Sequence, residues 1–508
     1  MRAGIVTFDF PPQYRRADVS DRPVAVGSPL ARLLAGRGVA LEIPLADLAS
    51  RDPAAGVGIR DGADLDACLD ALRAARVECL LIDAFHWCRL ALVRQLVEAL
   101  DVPTAVYANT GEGWNGVPAA SAICGSLREA PRTRTAALVE AFLDSEEPAG
   151  LFRWMAGATA LSRLRRSRAL LWGGGYGAEI PYTRSDPAAL EACCLGEILT
   201  EPEATLVRRA QRILADGPQR VKGFLDWLAH NKVAVRFDGR MLTPECLDFQ
   251  AALYLAARDR LGELGGDGIA GAAIKCHYEM STDWPGCTGC LLPAFLPFGV
   301  DAEGARPVVP FACEGDLNGL VGLMILHAVQ PAVPPLFGDL VAYRPDHLLL
   351  RNCGAASAYW AGRSGDPARC LARLSLAPTL HGKSGAAVHY ETPACEECDP
   401  PGEGVTFLRL FREGGRFGAL LGEGRVLAER DGSRYADPWP HTRLALGADP
   451  SLLFKAMPCN HGSLTEGRLM RELELFCAHA GIRTYRCDAE GLAALLAERR
   501  RAGAGAGA

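Results

Sequence analysis

Residues 308–319 read VVPFACEGDLNG, an apolar run that ends in two acidic residues and is followed at once by a helical pattern. The run predicts a buried β-strand, and Leu317–Gln330 predicts the helix. Glu314 and Asp316 then lie at the carboxyl end of the strand, where two carboxylates suit a hard cation. In a competing interpretation, Asp316 only caps the helix and Glu314 is solvated. Capping is favoured for Asp316, whereas Glu314 stays a candidate ligand.

Two later segments contain polar residues of comparable character. Residues 336–341 read LFGDLV, so Asp339 lies inside an apolar, strand-like run. A buried carboxylate is costly unless it is paired, hydrogen-bonded or bound to a metal, so Asp339 needs a partner. Residues 457–463 read MPCNHGS, which places His461 in a loop bounded by proline and glycine. Taken alone, such a histidine is more often structural than a metal ligand.

The organisation of the chain predicts a multidomain α/β protein with a β-rich C-terminal part. A chain of 508 residues exceeds what one hydrophobic core usually serves. Strand-like runs alternate with helical patterns at first, and strand-like runs at 405–411, 417–421 and 425–428, separated by Gly-rich turns, dominate later. We therefore expect two Rossmann-like α/β domains at 1–155 and 156–328, a β-rich domain at 329–498 and a disordered Ala/Gly-rich tail at 499–508.

Composition argues against several classes of function. The formal net charge of −6 provides no basic surface for nucleic acid, and every apolar run is interrupted before the roughly 20 residues that a membrane helix needs. The N-terminus lacks the apolar core of a secretion signal, so we expect a cytoplasmic protein with reduced cysteines. A zinc site made of the two C-x-x-C pairs, Cys287/Cys290 and Cys395/Cys398, is a less favoured alternative because the pairs lie far apart in the chain.

Three segments together resemble the metal-ligand segments of the L-fucose isomerase family, in the family's order: ACEGDLNG at 312–319, FGD at 337–339 and NHG at 460–462. Similar stretches span about 270–465, including GVTFLRL at 404–410, while the first 260 residues match mainly in length and α/β pattern. The resemblance implies two N-terminal α/β domains, a β-rich C-terminal domain and a trimer or hexamer. It also implies Mn²⁺ held by Glu314, Asp339 and His461, although Mg²⁺ or Co²⁺ suits such ligands as well.

The resemblance further implies an aldose–ketose isomerase that moves a proton between C1 and C2 of an open-chain sugar through a metal-stabilised enediolate. Glu314 and Asp339 would be both ligands and the acid/base pair, and His461 would fix the metal. Residues expected on the substrate side, some of which could equally be structural, are Lys275, His277, Asn352, Trp114 and Asn115. The identity of the sugar stays open. So do two alternatives, an epimerase or lyase that uses the same site and a non-catalytic sugar-binding relative.

Overall fold

The computed structural model describes residues 1–9, 27–51, 58–111, 116–174, 180–265, 268–397, 404–428 and 438–505. These residues form two compact units. Unit 1 contains Met1–Arg163 together with Glu474–Ala480, and unit 2 contains the other described residues. The described residues with predicted roles in metal or substrate binding all belong to unit 2: Lys275, His277, Glu314, Asp339, Asn352 and His461.

Unit 1 is a parallel α/β structure. Its strands are β1 (Arg2–Val6), β2 (Ala40–Glu42), β3 (Cys79–Ala84), β4 (Thr104–Ala108) and β5 (Glu140–Leu143). Its helices are α1 (Pro29–Ala35), α2 (Pro44–Arg51), α3 (Gly62–Ala74), α4 (Leu90–Leu100), α5 (Val117–Glu129), α6 (Arg134–Ala137) and α7 (Ala149–Leu164). The strands form one sheet in the order β2-β1-β3-β4-β5, which is the order of a doubly wound fold. β3 and β4 are buried at every position, as is typical of strands covered on both faces.

β3 contains a buried carboxylate near its end, Asp83, which is only 2% exposed. Burial raises the pKa of Asp83 to about 7, a hydrogen bond with Ser28 opposes this shift, and the charge of Asp144 adds to it. The pKa in the unfolded chain is about 3.9. Between these two values the folded protein holds a proton that the unfolded chain has released. The free energy of unfolding therefore falls as the pH rises from about 4 to about 7.

Replacing Asp83 with asparagine is expected to raise the free energy of unfolding at pH 8 by about 1–2 kcal/mol, because it removes the cost of a buried charge. At pH 4 the change is expected to be small, since the aspartic acid is then neutral in the folded protein. Urea denaturation at both pH values measures the difference. Asp70→Asn on the exposed face of α3 is the control and should stay within about 0.5 kcal/mol. An Asp83→Asn protein no more stable than wild type at pH 8 would contradict this account.

Unit 2 contains the remaining elements. Its strands are β6 (Arg168–Trp172), β7 (Glu197–Glu201), β8 (Ala234–Val235), β9 (Ile269–Ile274), β10 (Val300–Asp301), β11 (Gly304–Ala305), β12 (Phe311–Ala312), β13 (Leu336–Tyr343), β14 (Leu348–Arg351), β15 (Ser375–Pro378), β16 (Ala386–His389), β17 (Val405–Glu413), β18 (Arg416–Val426), β19 (His441–Ala445), β20 (His461–Glu466) and β21 (Arg483–Arg486). Its helices are α8 (Pro181–Arg184), α9 (Pro187–Cys193), α10 (Glu203–Asp216), α11 (Pro218–His230), α12 (Pro244–Gly265), α13 (Leu291–Phe295), α14 (Leu317–Val329), α15 (Pro367–Leu371), α16 (Pro450–Ala456), α17 (Met470–Ala480), whose last residues belong to unit 1, and α18 (Ala489–Gly505). A π-helical segment covers Cys276–Asp283.

The first sheet of unit 2 is parallel, with the strand order β12-β9-β6-β7. Its strand β9 consists mainly of small residues because α14 packs closely against it. A Cβ atom at Gly271 would lie 2.7 Å from Cγ of Met324 on that helix. α14 also packs against β17 and β20, so it is apolar around its whole circumference and almost completely buried.

Six further strands of unit 2 close into an antiparallel barrel. They follow the order β17-β20-β13-β14-β19-β18, and β18 pairs back with β17. β21 pairs in parallel with Gly418–Leu421 of β18. Two smaller sheets, β16-β15-β8 and the β10–β11 hairpin, complete the described strands.

The predicted fold class is confirmed as an architecture, since parallel α/β sheets precede an antiparallel β-rich part. The predicted strands at 417–421 and 425–428 are wrong as separate elements, because 417–421 and 425–426 belong to the single strand β18, which ends at Val426. The glycines of this segment allow close packing instead of a turn. A Cβ atom at Gly424 would collide with the carbonyl oxygen of Ala445, and one at Gly422 would lie 2.9 Å from Cβ of Cys487.

The disordered tail predicted at 499–508 is wrong for its described part, because α18 continues to Gly505. Arg499 anchors this end of the helix. Its guanidinium donates to the Glu413 carboxylate at 2.6 Å and to the carbonyl oxygen of Ala456 at 2.8 Å. The predicted domain boundaries after residues 155 and 328 stay predictions.

Membrane insertion was not expected from the sequence. Across the described ranges, the structure contains no helix with the length and apolar character needed to cross a bilayer.

Candidate metal centre

Glu314 lies in the turn between β12 and α14, where its backbone has a φ angle of +57°. Residues other than glycine seldom adopt this left-handed conformation, and such positions concentrate at functional sites. Gly315 follows with a φ angle of +64°, so the chain turns sharply before the helix begins. The side chain of Glu314 is buried, with only 7% of the residue exposed. The alternative in which Glu314 is solvated is therefore wrong.

β13 and β20 place the other two predicted ligands opposite each other. In this antiparallel pair, Asp339 is in register with His461. Residues paired in this way have neighbouring side chains on one face of the sheet. The side-chain amide of Asn460 also donates a hydrogen bond to Oδ1 of Asp339, and the Tyr182 hydroxyl donates to Oδ1 of Asn460. Asp339 thus has the partners that its place in an apolar strand requires.

The ring of His461 connects three carboxylates. Its Nε2 atom lies 3.2 Å from Oε2 of Glu314 and 3.3 Å from Oδ1 of Asp339. Its Nδ1 atom lies 2.7 Å from Oδ2 of Asp316. The residue is only 1% exposed, so these contacts satisfy both nitrogens of a buried ring. The structure therefore brings Glu314 and Asp339 to the same nitrogen of His461.

Asp316 caps α14, as the sequence predicted, because the backbone N–H of Gly319 donates to its Oδ1 at 2.8 Å. Asp316 is also fully buried and paired with Arg409 of β17, whose Nη1 lies 2.6 Å from Oδ2 of Asp316. Sequence reasoning missed this role of Arg409. The available signal was an arginine inside the apolar run of residues 404–410, since a buried arginine needs a charged partner.

The electrostatics of the centre favour charged side chains. Burial opposes ionisation of Asp316, but the charge of Arg409 and a hydrogen bond from His461 hold the pKa of Asp316 below its usual range. Burial also opposes ionisation of Glu314, and contact with His461 holds that pKa low as well. Burial disfavours the imidazolium of His461, yet the charge of Asp339 and hydrogen bonds to the three carboxylates raise its pKa well above the usual value. The surrounding carboxylates therefore favour the protonated form of His461.

The charges of this arrangement suit a divalent cation. Three carboxylates face one guanidinium and one imidazolium, and a cation at His461 Nε2 would replace the proton held there. Asp316 would keep the ring oriented through Nδ1, as carboxylates commonly do for metal-binding histidines. Two carboxylates and one imidazole are ligands that suit Mn²⁺, Mg²⁺ or Co²⁺.

A second group of candidate ligands adjoins Glu314. Among the residues that the structure describes, His277, Glu314 and Cys353 form the one set of three or more such side chains whose ligand atoms all lie within 4.8 Å of one another. The Cys353 thiol donates to Oε1 of Glu314 at 3.5 Å, and Nε2 of His277 lies 3.7 Å from Sγ of Cys353. The sequence predicted His277 as a substrate-side residue and placed Cys353, the neighbour of the candidate Asn352, near the metal without a role as a ligand.

Two of the other predicted substrate-side residues have partners within the protein. Nζ of Lys275 donates to the Glu279 carboxylate. Asn352 is buried, and its Oδ1 accepts hydrogen bonds from the Ala355 N–H at 3.3 Å and from the Cys313 thiol at 3.8 Å. Asn352 therefore holds the backbone turn next to Cys353. Trp114 and Asn115 lie outside the described residues.

One cysteine of the first C-x-x-C pair contacts a thiol outside the pair. Sγ of Cys287 lies 3.4 Å from Sγ of Cys246, at the start of α12. This contact lowers the pKa of the Cys246 thiol to about 7. In the second pair, Cys395 is buried against the guanidinium of Arg363, and Cys398 lies outside the described residues.

No protein-family model matches this chain, and no curated protein matches it either. The geometry of this candidate centre and the resemblance of its three segments therefore carry the inference about function.

Proposed function

We propose that the protein is a divalent-metal-dependent aldose–ketose isomerase of the L-fucose isomerase type, with Mn²⁺ held by Glu314, Asp339 and His461. The observation that carries this proposal is the approach of both carboxylates to Nε2 of His461, at 3.2 Å and 3.3 Å. The three residues come from separate segments of the chain, and these are the segments that resemble the ligand segments of that family.

The two carboxylates would perform the proton transfer. A divalent ion bound at this centre would stabilise the negative charge that develops on the sugar oxygens when the proton beside the carbonyl group leaves. Glu314 and Asp339 reach His461 from different directions, one from the turn after β12 and the other from β13. One carboxylate can therefore accept the proton from C2 while the other serves the neighbouring oxygen. The buried pair of Asp316 and Arg409 would keep His461 in place during this exchange.

Aromatic rings beside the centre offer a surface for a sugar. The ring of His277 contacts that of His381, with centroids 5.5 Å apart, and His381 stacks on Trp439 with centroids 5.1 Å apart. The guanidinium of Arg351, which is in register with Asp339, lies over the Trp439 ring at 5.0 Å. This row combines apolar faces with hydrogen-bond donors, the combination that a polyhydroxylated ligand needs. His277 stays the strongest substrate-side candidate, with Lys275 beside it.

The architecture is compatible with the proposal. Parallel α/β sheets precede a β-rich part, the order implied by the resemblance. The proposal includes a trimer or hexamer in which a neighbouring subunit completes the pocket. Light scattering of the purified protein tests this part independently of catalysis.

Metal removal is the primary test. Dialysis against EDTA is expected to lower the rate of aldose–ketose conversion by at least about 100-fold, because the charge developed in the transition state loses its main stabilising partner. Mn²⁺ should restore the rate. The assay uses a panel of aldoses, with products identified by NMR and metal content by mass spectrometry. Conversion that survives complete metal removal would overturn the proposal. A sugar product with inverted configuration and no ketose would favour the epimerase. Cleavage of a carbon–carbon bond would favour the lyase.

A further inference from the structure

The two carboxylate oxygens of Glu314 contact two different sets of side chains. Oε2 lies 3.2 Å from Nε2 of His461, within the centre described above. Oε1 accepts a hydrogen bond from the Cys353 thiol at 3.5 Å, and that sulfur lies 3.7 Å from Nε2 of His277. The ligand atoms of His277, Glu314 and Cys353 all lie within 4.8 Å of one another.

The two distances from the sulfur of Cys353 match the edges of a tetrahedral zinc site. Zinc binds thiolate sulfur at about 2.3 Å and imidazole nitrogen or carboxylate oxygen at about 2.0–2.1 Å. At a tetrahedral angle these bond lengths place neighbouring ligand atoms about 3.3–3.6 Å apart. The two sulfur distances, 3.5 Å and 3.7 Å, are close to these values.

The surroundings of His277 fit the same role. Its Nδ1 lies 3.1 Å from the Ser281 hydroxyl, which leaves Nε2 directed at Cys353. Metal-binding histidines usually have such a partner on the nitrogen that does not bind the metal. His277 and Glu314 are buried, and Cys353 is half-buried. A small cavity lined by His277, Cys353 and Cys290 adjoins the set and can hold a fourth, non-protein ligand.

We propose that His277, Glu314 and Cys353 form a second metal site, selective for Zn²⁺ or another thiophilic divalent ion, and that Glu314 bridges it to the centre of Asp339 and His461. A thiolate ligand favours zinc over manganese and magnesium, which prefer oxygen. Binding converts the Cys353 thiol to a metal-bound thiolate and releases its proton to solvent. This site depends on ligand geometry and does not require the proposed isomerase activity.

Cobalt provides a test that is independent of activity. Metal-free protein titrated with Co²⁺ is expected to develop the near-ultraviolet absorption of a thiolate-to-cobalt charge transfer. Zn²⁺ should abolish this absorption by displacing the cobalt. In Cys353→Ala the absorption is expected to be lost, and the amount of bound Zn²⁺ should fall by one ion per chain. His277→Ala should lower the affinity for Zn²⁺ and weaken the absorption.

Cys290→Ala is the matched control, because Cys290 lines the same cavity but is not part of the set. This variant should keep the full absorption. The proposal is overturned if wild-type protein saturated with Co²⁺ shows no thiolate charge transfer. It is equally overturned if Cys290→Ala loses the absorption while Cys353→Ala keeps it. Mn²⁺ binding followed by electron paramagnetic resonance in Cys353→Ala reports on the Asp339 and His461 centre alone, so a failure of that centre is seen separately.

Discussion

Glu314→Gln is expected to lower kcat/KM for the sugar that the protein converts by about 10³-fold or more, while the fold is retained. The substitution keeps the size of the side chain and its place in the turn, but it removes the charge that would bind the metal and the group that would accept the proton. General acid–base catalysis alone contributes about 10²–10⁴-fold. Initial rates measured with saturating Mn²⁺ give the effect on proton transfer, and electron paramagnetic resonance of Mn²⁺ gives the effect on metal affinity.

The control for this variant is Glu413→Gln on β17. Glu413 is exposed and pairs with Arg499, so the same loss of charge occurs away from the centre. The kcat/KM of Glu413→Gln should stay within about twofold of the wild-type value, as for most surface substitutions. If Glu314→Gln keeps roughly a tenth or more of the wild-type rate, Glu314 is neither the acid/base group nor an essential ligand.

Arg409→Met is expected to lower the free energy of unfolding by about 3–5 kcal/mol. Arg409 and Asp316 are both almost completely buried, and their charged atoms lie 2.6 Å apart. Removing the guanidinium leaves the carboxylate of Asp316 in a low-dielectric interior with His461 as its remaining charged partner. Because Asp316 also caps α14, the loss should affect the start of that helix. Urea denaturation followed by circular dichroism measures the change.

Arg412→Met on the same strand is the matched control. Arg412 pairs with Asp186 at 3.1 Å, but both side chains are about a third exposed. Such surface pairs contribute about 0–1 kcal/mol, so this variant should remain close to wild type. Equal destabilisation by the two substitutions would contradict a special role for the buried pair. In the double variant Arg409→Met/Asp316→Asn, part of the lost stability should return, because the uncompensated charge is gone.

The parts of the centre that could be predicted from sequence are those with a local signal. Residues 308–319 carry an apolar run, two acids and a helical pattern next to one another, so the strand, the cap at Asp316 and the helix α14 follow from short-range rules. Asp339 was predictable as a residue that needs a partner, since a lone acid in an apolar strand is costly.

The parts that could not be predicted depend on contacts between distant segments. The residues next to Arg409 in the chain do not indicate that it contacts Asp316. Likewise, the residues next to Cys353 do not indicate that it contacts His277 and Glu314. These contacts depend on how the barrel closes and on where α14 packs against it. The same reason explains β18, whose glycines match a turn pattern locally but are required by the neighbouring strands.

The register of β13 and β20 determines which substitutions the candidate metal centre tolerates. Asp339 and His461 are held opposite each other by peptide hydrogen bonds, and a slip of either strand by one residue would place the two side chains on opposite faces of the barrel. A bulge in the pairing with β14, between Leu340 and Ala342, separates this register from the connection that follows. In the proposed isomerase, a substitution in the connection after this bulge would leave the geometry that acts on the first two carbons of the sugar in place.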